Sequence, residues 1–159
     1  MRNLILIIMM LITSIGYSQA PIDNILLEKL VLLKINDYRY LNGVNTLNLV
    51  DSISNGCKSH SENMVKTNYL YHPENGYWHG ENCGFIELGN GYQGYEEIAI
   101  KIVSNWVDSP LHNAALLRDG DKVGIGSSTS DNGKIYFTYR IYNSDEYFKK
   151  GGKLALDNF

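Results

Sequence analysis

The feature that most limits what this chain can fold into is a hairpin pattern near its C-terminal end. From Lys134 to Tyr142 the residues alternate, with Ile135, Phe137, Tyr139 and Ile141 against Tyr136, Thr138, Arg140 and Tyr142, which is the period of a β-strand. Asp131-Asn132-Gly133 ahead of it is a turn signal, and Val123 to Ser127 supplies the partner strand. Everything upstream reads as helix or loop. Ile22, Leu26, Leu30, Leu33, Tyr38 and Leu41 step at helical intervals, and Asn42-Gly43 ends that stripe. A second helix is expected from Asp51, as N-cap, to about Thr67. Its stripe is Ile53, Cys57, His60 and Met64, so His60 reads as a core histidine on the buried face. A third runs from Tyr95 to Val107 and stops at Ser109-Pro110, and a short one follows over His112 to Leu117. Tyr69 to Asn90 is aromatic and glycine-rich without helical period. Helices first and strands last imply an α+β fold, with helices packed on an antiparallel sheet.

The 159 residues suit one domain preceded by a leader. Met1-Arg2-Asn3 is a short positive start, Leu4 to Ile12 is apolar, and small and polar residues follow up to Ala20. This is the order of a secretory signal peptide over 1–20, with cleavage after Ala20. The apolar run is nine residues, whereas a membrane-spanning helix needs about 20. The expected organisation is therefore a leader (1–20), a domain (21–144) and a charged C-terminal tail (145–159), exported to the extracellular space or the periplasm. A hydrophobic fraction of 44% excludes a disordered tail protein, and a net charge of -3 gives no basic face for nucleic acid. Two cysteines in an exported chain read as one disulfide between Cys57 and Cys83, or as two buried free thiols. Tyr69, Tyr71, Tyr77, Trp78, Tyr92 and Tyr95 gather around the loop-rich segment. They suit an apolar rim for a ligand or the packing of a loop layer.

Five phrases occur in an order that resembles the CAP superfamily (cysteine-rich secretory, antigen five and pathogenesis-related proteins) in its bacterial, SCP-like form. They are Ile35-Asn36-Asp37-Tyr38-Arg39 with Asn42-Gly43; His60-Ser61-Glu62-Asn63-Met64; Gly80-Glu81-Asn82; Trp106-Val107-Asp108-Ser109-Pro110-Leu111-His112-Asn113; and Val123-Gly124-Ile125-Gly126. The resemblance covers Ile25 to about Asn143. It implies an α-β-α sandwich, a secreted life and a cleft lined by histidines and acids that holds a divalent metal in several members. Carried over position by position, it makes His72, Glu81 and His112 the cleft residues and the metal or ligand set. Many eukaryotic members have a second glutamate where this chain has Ser109. Leu111 and Asn113 stand where the bacterial phrase usually has glycine and arginine.

Two imidazoles and a carboxylate form a ligand set that leaves Zn2+ with an open position, where a bound water becomes acidic enough to act as a nucleophile. A hydrolase also needs a general base, and a second cleft glutamate is missing at position 109. The leading expectation is thus a secreted, non-enzymatic binding module. Its His/Glu cleft would take a divalent metal or none, and a small-molecule, lipid, glycan or peptide ligand. A metal-dependent hydrolase or peptidase using His72, Glu81 and His112 is the alternative, and an interaction protein using the loop 73–95 is a third. Ser109 beside His112 reads as a helix stop rather than a nucleophile. His79 is within two residues of Glu81 and would share its face if the strand began early.

Overall fold

The computed structural model describes residues 22–74, 76, 78–89 and 94–144. The leader (1–20) and the tail (145–159) lie outside these residues, as do Tyr77, Tyr92 and part of the loop 73–95. Eight elements follow one another: α1 (Asn24–Leu41), β1 (Asn48–Leu49), α2 (Asp51–Thr67), β2 (Gly80–Glu87), α3 (Tyr95–Val107), α4 (Pro110–Leu116), β3 (Lys122–Thr129) and β4 (Lys134–Tyr142). The expected helices and the hairpin are all present. Helix α1 starts two residues later than its apolar stripe, because Asp23 takes the N-cap and accepts the Leu26 N–H at 3.1 Å. Helix α2 is capped at Val50 rather than Asp51, which becomes its first residue. Helix α4 begins at Pro110, where a proline fits the first turn, and Ser109 occupies its N-cap without a side-chain hydrogen bond.

The sheet order is β1-β3-β4-β2. Strands β3, β4 and β2 are antiparallel as expected, while the two-residue β1 pairs parallel to β3 and makes the sheet mixed. Strand β2 interrupts the stretch that shows no helical period. The resemblance placed a strand there, whereas periodicity did not.

Alternation along β4 sorts the two faces. Ile135, Phe137, Tyr139 and Ile141 join Val123 and Ile125 in a core completed by Leu27, Val31 and Ile35 of α1 and by Ile98, Ala99, Ile102 and Trp106 of α3. Tyr136, Thr138 and Arg140 face α2, where Met64, Cys83 and Tyr136 form a smaller apolar cluster. Helices thus cover both faces of the sheet, giving the α-β-α sandwich. Among the described residues no helix is long and apolar enough to cross a membrane.

Polar residues lock the layers. The Asn36 side chain bonds both the N–H and the C=O of Leu47, at 2.8 and 3.1 Å. Arg39 is fully buried and donates to the carbonyls of Asn45, Leu116, Arg118 and Gly120. It gathers the loop after α1 and the end of α4 around one guanidinium, whose donors need partners once out of water. Glu28 Oε1 accepts from the Ser127 N–H at 2.7 Å and from its hydroxyl at 2.9 Å, tying α1 to β3. Burial pushes the Glu28 carboxyl above its ordinary value, against the pull of those hydrogen bonds and of Lys58.

The expected disulfide is not formed: Cys57 and Cys83 are both free and buried. Cys57 lies over Gly126 of β3, and Thr138 of β4 stands in register between Gly126 and Cys83 of β2. Two strand spacings separate β3 from β2, about 10 Å, beyond the ~7 Å that a disulfide tolerates between Cα atoms.

On the α2 side, β3 presents only Gly124 and Gly126 at the contact. A Cβ at Gly126 would collide with backbone atoms of Cys57 and Lys58, and one at Gly124 would come 2.7 Å from the Ile53 carbonyl oxygen. Gly126→Ala should therefore lower unfolding free energy in denaturant titration by about 2 kcal/mol or more. Gly89→Ala, where a Cβ meets nothing within 4 Å, should stay within about 0.5 kcal/mol of the parent. Glu28 gives a pH-dependent prediction. Its folded-state pKa is raised, so the fold holds this proton more tightly than the unfolded chain, and stability is lost as pH rises through the folded value. Gln at position 28 keeps an oxygen for both Ser127 donors and carries no charge. Glu28→Gln should raise Tm at pH 7 by up to about 3 °C and give no gain near pH ~4, where the carboxyl is protonated. An equal difference at both pH values would contradict this.

Candidate functional site

Strand β2 is an edge strand on which alternate residues face opposite layers. Asn82 faces α4 and donates to the His112 carbonyl at 3.0 Å, fixing the first turn of α4 against the sheet. Its Oδ1 is buried with no hydrogen-bond partner among the described residues. Glu81 and Cys83 face α2. The β2–β4 register sets Glu81 directly opposite Arg140, and the Arg140 Nε donates to Glu81 Oε2 at 2.6 Å. Both side chains are almost wholly buried. The guanidinium also lies 4.0 Å over the Trp78 ring, a cation–π contact.

His72 reaches the same carboxylate from the segment after α2. Asn68 ends that helix in the left-handed conformation, φ +48°. The His60 ring then holds the departing chain through Nε2 and the Tyr71 carbonyl at 2.9 Å. A carbonyl only accepts, so this Nε2 carries the proton and the lone pair lies on Nδ1. One residue on, His72 Nδ1 lies 2.7 Å from Glu81 Oε1, with its side chain 54% exposed above a carboxylate that is 3% exposed. The His112 ring from α4 stands 6.4 Å from the His72 ring, tilted by 41°. Burial, and then the nearness of His72, lower the His112 pKa; burial lowers that of His60 despite the Tyr71 carbonyl.

The expected cleft residues therefore meet: Glu81 touches His72, and His72 faces His112. Sequence reasoning missed Arg140, and it read Trp78 as a rim aromatic and Cys83 as half of a disulfide rather than as neighbours of Glu81. An arginine in mid-strand was the available signal, since burial of its charge calls for a carboxylate. His60 is buried as expected, yet it is also one of three groups that can hold a metal ion. His60, Glu81 and Cys83 each offer a donor atom, all within 4.8 Å of one another. The Cys83 thiol, 3.6 Å from Glu81 Oε1, is pushed up by burial and by that carboxylate. His79 continues the β2–β4 ladder through its N–H to the Ile141 carbonyl, and its Nδ1 accepts from the Asn143 N–H. Of the aromatic group, Tyr69 and Tyr71 stack at 6.2 Å, and the Tyr95 hydroxyl accepts the Asp23 N–H.

The family described as the cysteine-rich secretory protein family, CAP, matches residues 32–142. No curated protein matches the chain. Among solved structures, an outer surface protein of Borrelia burgdorferi is similar over 77% of this chain and 96% of its own, with a TM-score of 0.61 and 17% identity. A cysteine-rich secretory protein of Staphylococcus aureus covers 76% of this chain and 40% of its own at a TM-score of 0.45 and 12% identity. The venom allergen-like protein 4 of Schistosoma mansoni covers 75% and 87% at 0.47 and 7%. With the match running through most of the sandwich, His72 and His112 included, the chain belongs to the CAP family.

Proposed function

We propose that this protein is an exported, non-enzymatic CAP binding module whose cleft holds a divalent metal between His72 and His112. The observation that carries this reading is the clamp on Glu81. Arg140 occupies one carboxylate oxygen and His72 Nδ1 the other. A carboxylate at Nδ1 draws the proton to that nitrogen and leaves Nε2 with its lone pair, the arrangement that orients metal-binding histidines. His112 is biased towards its neutral, ligating form. The donors thus fit an ion, with Glu81 in an orienting role beside the two imidazoles.

A zinc ion bound there would offer its remaining positions to water or to a ligand donor. Glu81 is engaged by two cationic or proton-donating partners, which suits orientation better than the proton abstraction a hydrolase would ask of it. Leu111, 85% exposed next to His112, and the stacked Tyr69 and Tyr71 supply apolar surface for a small apolar or peptide ligand. Export rests on the leader pattern of 1–20.

Calorimetric titration of Zn2+ into the metal-stripped protein tests the reading. The His72→Ala/His112→Ala variant should bind one equivalent fewer than the parent. Glu81→Ala should weaken that equivalent by about 10–100-fold. Equal stoichiometry in parent and double variant would overturn the cleft as a metal site.

A further inference from the structure

We propose that His60, Glu81 and Cys83 form a second metal site, buried beneath the cleft and suited to a thiophilic divalent ion such as Zn2+, Co2+ or Cd2+. The site stands apart from the proposed role of His72 and His112 as ligands, because its three donors come from α2 and β2 alone.

Geometry is the first support. Bonds of about 2.0–2.3 Å to nitrogen, oxygen and sulfur around a tetrahedral ion put neighbouring donors about 3.3–3.8 Å apart. Cys83 Sγ and Glu81 Oε1 are already 3.6 Å apart, along one such edge. All three donor atoms lie within 4.8 Å of one another, at most about 1 Å beyond the spacing that a tetrahedral ion sets.

The surroundings are the second support. His60 and Glu81 are each held by hydrogen bonds to other groups. The Tyr71 carbonyl accepts the His60 Nε2–H, which puts the ring's free lone pair on Nδ1. Arg140 holds Glu81 Oε2, and His72 donates to Oε1, which keeps a second lone pair. Met64 and Tyr136 pack against Cys83 on its apolar side. Outer-shell partners of this kind tune metal affinity.

Charge and softness select the ion. Thiolate, imidazole and carboxylate together favour zinc-like ions over magnesium or calcium. On binding, the Cys83 S–H proton leaves to solvent and the Sγ–metal bond forms, with no change of oxidation state. The two positive charges of the ion then meet the two negative charges of Cys83 and Glu81. A coordinating ion also overcomes the burial that keeps this thiol protonated.

Cobalt separates this site from the cleft, because a thiolate ligand adds a near-ultraviolet charge-transfer band that imidazole ligands do not. Co2+ titrated into the reduced, metal-free full chain should produce that band. It should persist in His112→Ala and in Cys57→Ser and vanish in Cys83→Ser with the circular dichroism of the fold intact. Absence of the band in the parent, its survival in Cys83→Ser, or its loss in folded Cys57→Ser would overturn the proposal. Should Cys83→Ser fail to fold, His60→Gln decides: weakening of the band's Co2+ affinity by about tenfold or more supports the site, and unchanged affinity overturns it. Loss of the cleft's zinc equivalent in calorimetry leaves this readout untouched, so the two readings fail separately.

Discussion

Helix α2 rests on β3 with backbone against backbone, and the remaining geometry follows from that approach. Gly124 and Gly126 face the helix with no side chain, so Ile53, Cys57 and Lys58 come closer to the strand than any Cβ would allow. Such closeness brings Ser61 within hydrogen-bonding distance of both the Gly126 carbonyl and the Thr138 hydroxyl, each at 2.9 Å. It also sets the level at which α2 releases the chain. His60 lies on the same buried face and ties the Tyr71 carbonyl, which delivers His72 to Glu81 one residue later. A bulkier strand would lift the helix and carry His72 away from the carboxylate.

Across the sheet, the pair formed by Arg140 and Glu81 is a costly feature, since two charges leave water together. Their Coulombic attraction and hydrogen bond offset that cost only while both are present. Removing one partner from a pair of this kind typically destabilises by about 3–5 kcal/mol, whereas well-packed hydrophobic residues in place of both often hold a fold equally well. What the pair adds is direction. Glu81 is kept rigid with one oxygen aimed at an exposed histidine, and Trp78 covers the guanidinium that keeps it so. A carboxylate placed this way suits a site better than a core, which is why the functional reading rests on it.

How much of this was legible in the sequence depended on the range of each interaction. The β4 alternation and the three helical stripes are local, and they gave the layers, the hairpin and the burial of His60. Strand β2 was hidden because Gly80, Glu81, Asn82 and Gly84 carry few apolar side chains, and only their order in a family phrase marked them. Gly84 has its own reason: a Cβ there would press on Ile102 and Trp106 at 2.9 and 3.0 Å. The disulfide expectation failed for the opposite reason. Cysteine count reports the export compartment, whereas a bridge depends on where the fold puts each residue: Cys57 sits on α2 over β3, Cys83 on β2, and β4 stands between those strands. The Arg140 contact was equally non-local, joining residues 59 apart in the chain.

The residues that made the family recognisable mostly build the frame, and this bears on how the cleft can vary. Tyr38 donates to the Asn113 side chain, Asn82 to the His112 carbonyl, and Arg39 to the carbonyls beyond α4. Helix α4 is thus held at its first turn and at its end by bonds that require nothing from the side chains of Ser109 or Leu111. The His112 backbone carbonyl is anchored by Asn82 rather than by either of those side chains. A family built on this frame can remove an acid from the cleft, or add an exposed leucine to its rim, without moving the histidine pair. Ser109 and Leu111 are changes of that kind, on a helix held elsewhere by Asn82 and Arg39.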